Sequence, residues 1–178
     1  MLCQTNKLHA LYCRPNLPLQ VRGNFALLLA SKKDLASAEP MYRRVLKGFE
    51  ESLGVNSPGT LANVTNLANL LKERQQYVEA EALYQRAITG YEAARGKRHE
   101  AYLDSLMNLA IFQKAVKKNY AEAEQLYRQA LEGYKTVLGV DHPSTKKCAS
   151  NLDFLLRAKS RPAGATCQAQ PQAEASEV

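Results

Sequence analysis

The segment YVEAEALYQRAITGYE, from Tyr77 to Glu92, lines up with YAEAEQLYRQALEGYK, from Tyr120 to Lys135, and nine of the 16 positions are identical. Stepping back by 42 residues from the first copy brings up LASAEPMYRRVLKGFE, in which Ala38, Glu39, Tyr42, Arg44, Gly48 and Glu50 recur and Phe49 replaces a tyrosine. A second block repeats in the same phase: Asn24-Phe25-Ala26, Asn66-Leu67-Ala68, Asn108-Leu109-Ala110 and Asn151-Leu152-Asp153. A period of this length with three copies and the start of a fourth is the mark of a repeat array, whose units bury their apolar faces only by stacking on one another.

Each unit reads as a helix pair. Val64, Leu67, Ala68 and Leu71 are spaced by three and four, and so are Ala80, Leu83, Tyr84, Ala87, Ile88 and Tyr91 in the following block. Gly54, Gly96 and Gly139 fall where a left-handed C-terminal residue is wanted, Pro58 and Pro143 suit first-turn positions, and Asn119 with Glu122 suggests a capping box. Pro40 lies inside the second helix of the first unit and should delay its start or kink it. Small residues such as Ala80, Ala87, Ala123 and Ala130 let helices approach closely. Tyr84 with Tyr91, and Tyr127 with Tyr134, stand two turns apart on one face and read as repeat-to-repeat core with hydroxyls near the rim rather than as an aromatic ligand site.

These residues resemble tetratricopeptide repeats in the 42-residue form of kinesin light chains and nephrocystin-like proteins. The resemblance rests on NLANLLKERQQYVEAEALYQRAI (66–88), NLAIFQKAVKKNYAEAEQLYRQAL (108–131) and the connector LGVDHPST (138–145). It implies an all-α helical-hairpin solenoid, a right-handed superhelix of three helix pairs plus a terminal helix, over about 19–158. The units would be 19–58, 59–99 and 100–142, with the last helix at 143–158. The connector GKRHEAY (96–102), one extra residue near 116–119 and Asp153 in place of a small residue depart from the pattern. Asp153 suits a terminal helix whose outer face meets water. Residues 1–18 read as the remnant of a preceding repeat, and 159–178 lack apolar periodicity and should be disordered. The final Ser176-Glu177-Val178 fits the short pattern read by PDZ domains.

The resemblance further implies a protein-binding scaffold without chemistry of its own, kinesin-light-chain-like in carrying cargo, whose first helices line a concave groove for a peptide or partner helix. Helical spacing independently puts two columns on that face: Asn24, Asn66, Asn108 and Asn151, and Lys72, Lys114 and Arg157. Asn offers a donor and an acceptor to an extended backbone, though the same amides would equally serve to bond the next repeat and set the twist. The cations would favour acidic ligand residues, with Glu73 and Asp104 nearby, or form a solvated face. Asn69, Asn108 and Lys147 partly match the carboxylate clamp of related modules, but Thr65 and Asn151 stand where basic groups belong. The candidate groove is therefore Asn66, Asn69, Lys72, Asn108, Lys114, Lys147, Asn151 and Arg157.

Other classes fit poorly. The chain has 178 residues, 46% of them hydrophobic, and a mean hydropathy of -0.38, with no apolar run of membrane-spanning length. The net charge of +7 is concentrated at the ends; residues 103–145 carry five basic and five acidic side chains, so no basic stripe offers itself to nucleic acid. Cys3, Cys13, Cys148 and Cys167 form no metal or redox cluster and read as free thiols in a cytoplasmic protein, although the acid-free stretch before Asp34 also suits organelle targeting. His99 and His142 sit in equivalent connectors one repeat apart, too far for joint ligation, and the pairs Glu79/Glu81 and Glu122/Glu124 point to different sides of their helices. No phosphate loop or nucleophile motif is present, so the expected cofactor is none. Self-association through an exposed apolar end is the alternative to a simple binding module.

Overall fold

The structure, a computed structural model, describes residues 18–160. Among the described residues seven α-helices run in order: α1 (Leu19–Ser31), α2 (Leu35–Leu53), α3 (Pro58–Glu73), α4 (Tyr77–Arg95), α5 (Glu100–Phe112), α6 (Tyr120–Leu138) and α7 (Pro143–Ser160). A π-helical turn, Gln113–Lys117, follows α5. Each helix packs on its neighbours in sequence, so α1, α3, α5 and α7 form one layer and α2, α4 and α6 the other. This is the all-α solenoid of three pairs and a terminal helix. One continuous core runs its length, built from Ala26, Ala38, Tyr42, Leu61, Leu71, Tyr84, Leu103, Tyr127 and Leu155 among others.

The local chemistry explains the boundaries. Gly54, Gly96 and Gly139 end the second helices at φ of 87°, 79° and 88°, a region in which a Cβ would be strained. Ser57 caps α3 by accepting from the Thr60 N–H at 3.1 Å, and Pro58 occupies its first position. The two connector histidines cap as well: Nδ1 of His99 accepts from the Ala101 N–H and Nδ1 of His142 from the Ser144 N–H, both at 3.2 Å. The irregular connector at 96–102 therefore turns the chain as its counterparts do. Asn119 caps α6 through the Glu122 N–H at 3.3 Å, but the Glu122 carboxylate accepts from the Asn119 side-chain amide at 2.7 Å rather than from its backbone, so only half of the expected box forms.

Pro40 does not delay α2, which begins at Leu35 directly after the Asp34 cap and carries the proline inside it. The cap, and the burial of Ala38, Met41 and Tyr42, outweigh the one lost backbone bond. The last helix is described as far as Ser160, the last of the described residues, and Lys159 in its final turn is held by Glu124 of α6 at 2.9 Å. The readings of residues 1–17 and 161–178, including the terminal Ser176-Glu177-Val178, lie outside the described residues.

The close approach of paired helices has one recurring cause. Leu19, Leu61 and Leu103 insert over Gly48, Gly90 and Gly133, where a Cβ would come closer than 3.0 Å to the nearest leucine methyl. Glycine there makes room for a side chain of the partner helix.

Candidate interaction groove

The first helices carry the candidate residues. α1 and α3 border an open cleft of about 130 Å³ lined by Gln20, Asn24, Leu27, Asn63 and Asn66, and a second of about 230 Å³ lined by Lys33, Tyr42, Asn66, Asn69 and Glu73. Asn66 thus borders both, and Asn24, Asn66 and Asn69 are brought together around them. Asn66, Asn108 and Asn151 are half-buried and Asn24 is exposed. Within the described residues none of these four amides makes a side-chain hydrogen bond.

Asn69 is engaged differently from the other asparagines. Its carbonyl oxygen accepts from the Tyr84 hydroxyl at 2.6 Å, which ties the two helices of the second repeat together. Burial of Tyr84 raises its hydroxyl pKa, so the phenol stays a donor. The tyrosine stripe is core, as read from its spacing: Tyr84 lies 5.6 Å from Phe112 of the next repeat, Tyr134 donates to Asp104, and Tyr91 reaches the Pro58 carbonyl at 3.5 Å.

The three column cations have three different surroundings. Lys72 is half-buried and has no ion pair among the described residues. Lys114, in the π turn, lies 4.8 Å from the centre of the Phe154 ring, a cation–π contact that links the third repeat to α7. Arg157 pairs with Asp153 one turn back at 2.9 Å. Lys147 is exposed and unpaired among the described residues. The two neighbouring acids are also occupied, Glu73 by Lys33 at 3.0 Å and Asp104 by Tyr134.

A set of ion pairs that spacing arguments about Glu79 and Glu81 overlooked holds successive repeats in register. Glu39, Glu81 and Glu124, each following a buried alanine, pair with Arg74, Lys117 and Lys159 at the end of the next first helix; the latter two distances are both 2.9 Å. The signal was a base 35 or 36 residues after each acid, recurring with the repeat. Beside these clasps, Arg43 grips both oxygens of Glu79 at 2.8 and 2.9 Å, a bidentate bond from α2 to α4 that holds the Glu79 carboxyl below its usual pKa. Hydrogen bonding from Lys159 lowers Glu124 in the same way.

The extra residue of the third repeat is absorbed by the π turn. The first two turns close with bonds from Asp34 N–H to the Leu29 carbonyl and from Gln76 N–H to the Leu71 carbonyl; in the third, Asn119 N–H reaches back one residue further, to Gln113. All three pass through a left-handed residue, Lys33, Gln75 or Lys118. The buried Gln113 then donates to Glu81 at 2.9 Å.

At the far end, Asp153 is exposed where Ala26, Ala68 and Ala110 are buried. The outer face of α7, with Lys146, Ser150 and Asp153, is polar and solvated, as suits the end of an array. Cys148 on its inner face is a free thiol, buried beneath the Tyr127 carbonyl at 3.5 Å, and burial pushes its pKa up to about 11. No described helix is long and apolar enough to cross a membrane.

The repeat geometry agrees with comparison to known proteins. A family model of the tetratricopeptide repeat matches residues 18–93 and again 60–135. The chain belongs to the tetratricopeptide repeat family. Its structure is similar to a kinesin-light-chain candidate from Podosopora anserina with nearly identical TPR-like repeats, at a TM-score of 0.70 and 21% identity, covering 79% of this chain and 66% of that one. A crystal structure of a single-substitution variant of that protein matches equally well. BtubC (BKLC) from P. vanneervenii aligns over 93% of this chain and 71% of its own, with a TM-score of 0.61 and 17% identity. No curated protein matches in sequence. These likenesses extend to the fold, and tetratricopeptide repeats generally mediate protein–protein interaction.

Proposed function

We propose that the chain is a non-enzymatic cytoplasmic scaffold that holds an acidic peptide, extended or helical, in the groove lined by its first helices, in the manner of a cargo adaptor. The observation that carries this reading is the column Asn24, Asn66, Asn108 and Asn151, whose amides make no side-chain hydrogen bond within the described residues and are free to bond a ligand backbone. Lys72, Lys114, Lys147 and Arg157 supply the positive charge beside it. Asn69 contributes less than the column, since Tyr84 already occupies its carbonyl oxygen.

The test is binding to acidic peptides selected on an array. Replacing Lys72, Lys114 and Arg157 together by alanine is expected to weaken binding by roughly 1–3 kcal/mol, with Lys72 contributing most because the other two have local partners. Raising salt should reproduce much of the loss through screening. Asn108→Ala should weaken acidic and neutral peptides alike. Binding indifferent to both the triple substitution and salt would reduce the cations to a solvated face.

A further inference from the structure

The amides and cations of the groove keep one residue per repeat and a constant offset. Lys72, Lys114 and Arg157 stand six residues after Asn66, Asn108 and Asn151. Six residues of helix advance about 9 Å, so the cations form a second row beside the amides, within the joint reach of a lysine and a glutamate side chain. Along either row the step is one repeat. First helices lying side by side stand roughly 10 Å apart, and the Lys114 ammonium crosses that step from the π turn to α7, where it lies 4.8 Å from the centre of the Phe154 ring. A ligand that engages both rows must therefore offer free backbone groups and, on one side, a carboxylate about every 10 Å.

The three regular peptide conformations meet this demand unequally. An α-helix can set carboxylates seven residues, about 10.5 Å, apart, but its N–H and C=O groups are bonded internally and leave the amides nothing to hold. A β-strand leaves its backbone free, yet residues two apart share a side at only about 6.7 Å and residues three apart face opposite sides. Polyproline II has no internal hydrogen bonds and turns once in three residues, so every third side chain falls on one side about 9.3 Å from the last. Phe154 adds an independent observation. It lies three residues after Asn151 and three before Arg157 on α7, and its ring is 63% exposed. An aromatic ring open to solvent beside such rows is a surface on which the pyrrolidine rings of a polyproline II segment pack.

We propose that the groove takes an acidic, proline-containing peptide in the polyproline II conformation, with a carboxylate at every third residue for Lys72, Lys114 and Arg157 in turn and a proline against Phe154. The proposal rests on the groove reading above and narrows its ligand to one conformation. Charge complementarity is available at the two outer cations. Lys72 has no ion pair among the described residues, and Arg157 is held only by the exposed Asp153, a weak restraint.

Two fluorescein-labelled peptides of identical composition separate the conformations: APEAPEAPEAP, with glutamates three apart, and PAPAEPEAEAP, with glutamates two apart. A third, AAEAAEAAEAA, keeps the glutamate step without proline. Each is titrated with the full chain and read by anisotropy. The first is expected to bind about threefold to tenfold more tightly than the second, the range for misplacing two exposed ion pairs. Combining Lys72→Ala, Lys114→Ala and Arg157→Ala should remove that difference. Phe154→Ala, at an exposed position, should leave helical circular dichroism unchanged, weaken the first peptide about threefold and barely affect the third. Equal binding of the first two peptides, still lost in the triple variant and in high salt, would overturn the polyproline II conformation and leave the groove reading standing. Tighter binding of an α-helical peptide with glutamates seven apart would do the same. Absence of saturable binding by any acidic peptide, these or those selected on an array, would overturn both.

Discussion

The second and third repeats share nine of 16 residues across α4 and α6, yet they satisfy their buried polar groups in opposite ways. In the second, the Tyr84 hydroxyl donates to Asn69 and the turn between helices is regular. In the third, the equivalent of Asn69 is Ile111, the Tyr127 hydroxyl is buried without a hydrogen-bond partner, and the turn is widened by a π segment. The apolar template, with alanine, tyrosine and glycine at fixed steps, is common to both. Helix spacing is therefore set by shape, and polar partners are local additions that differ between units without disturbing the stack.

If shape sets the spacing, the largest effects should come from filling the notches. Gly90→Ala and Gly133→Ala would gain about 1 kcal/mol of helix propensity. Each would drive a Cβ closer than 3.0 Å to the nearest methyl of Leu61 or Leu103, side chains that are fully enclosed. Overpacking of this kind costs about 1–3 kcal/mol, so both variants should unfold at lower urea than the parent. Gly48→Ala should be milder, because Leu19 is only half-buried at the start of α1 and its side chain has room to move. Equal tolerance at all three sites would break the claim that shape dominates.

The next effect should separate the two repeats directly. Tyr84→Phe removes a hydrogen bond and leaves the Asn69 carbonyl without its partner, at a cost of about 1 kcal/mol. Tyr127→Phe removes a hydroxyl that has no partner and whose pKa burial has pushed up to about 12. Its expected effect on stability is neutral or slightly positive, since a buried polar group without a bond is destabilising. Matched denaturation curves of the two variants should therefore move in different directions from the parent or, at the least, by different amounts. A loss as large for Tyr127→Phe as for Tyr84→Phe would mean that an ordered water satisfies the third repeat.

The same division explains what could be read without coordinates. Apolar spacing and the 42-residue step are properties of each helix alone, so the pairs, the glycine terminators at Gly54, Gly96 and Gly139, and the tyrosine core were legible from residue order. Asp153 at the solvated end was legible for the same reason. The polar contacts depend on which residue of the next helix lies opposite. Lys114 over Phe154 spans two repeats, and nothing local to either residue signals it. The clasps from Glu39, Glu81 and Glu124 left a trace as a recurring distance along the chain, but reading each acid only against its own helix conceals it. The Arg157 pair with Asp153, one helical turn apart, was open to a sequence argument, and it offsets part of the positive charge of the proposed groove.

The smallest expected effect concerns the inter-repeat ion pairs and their pH dependence. Bidentate hydrogen bonding from Arg43 is the main cause that depresses the Glu79 pKa below 4.5, with partial burial acting against it. A carboxyl whose folded pKa lies below its unfolded value stabilises the fold above the unfolded pKa. That contribution is lost as pH falls from about 4.5 through the depressed folded value, where the unfolded chain takes up the proton first. Both partners are substantially exposed, so the pair is worth only about 0.2–1 kcal/mol. Glu79→Gln should therefore lower the melting temperature slightly at pH 7 and leave it nearly unchanged at pH 3, while the parent loses the difference between the two. Glu124, lowered by Lys159 and then Arg128, should follow the same direction at the α6–α7 junction. A Glu79→Gln deficit that persisted at pH 3 would trace the loss to packing of the side chain, and the Arg43–Glu79 pair would then belong to the shape of the stack rather than to its local polar additions.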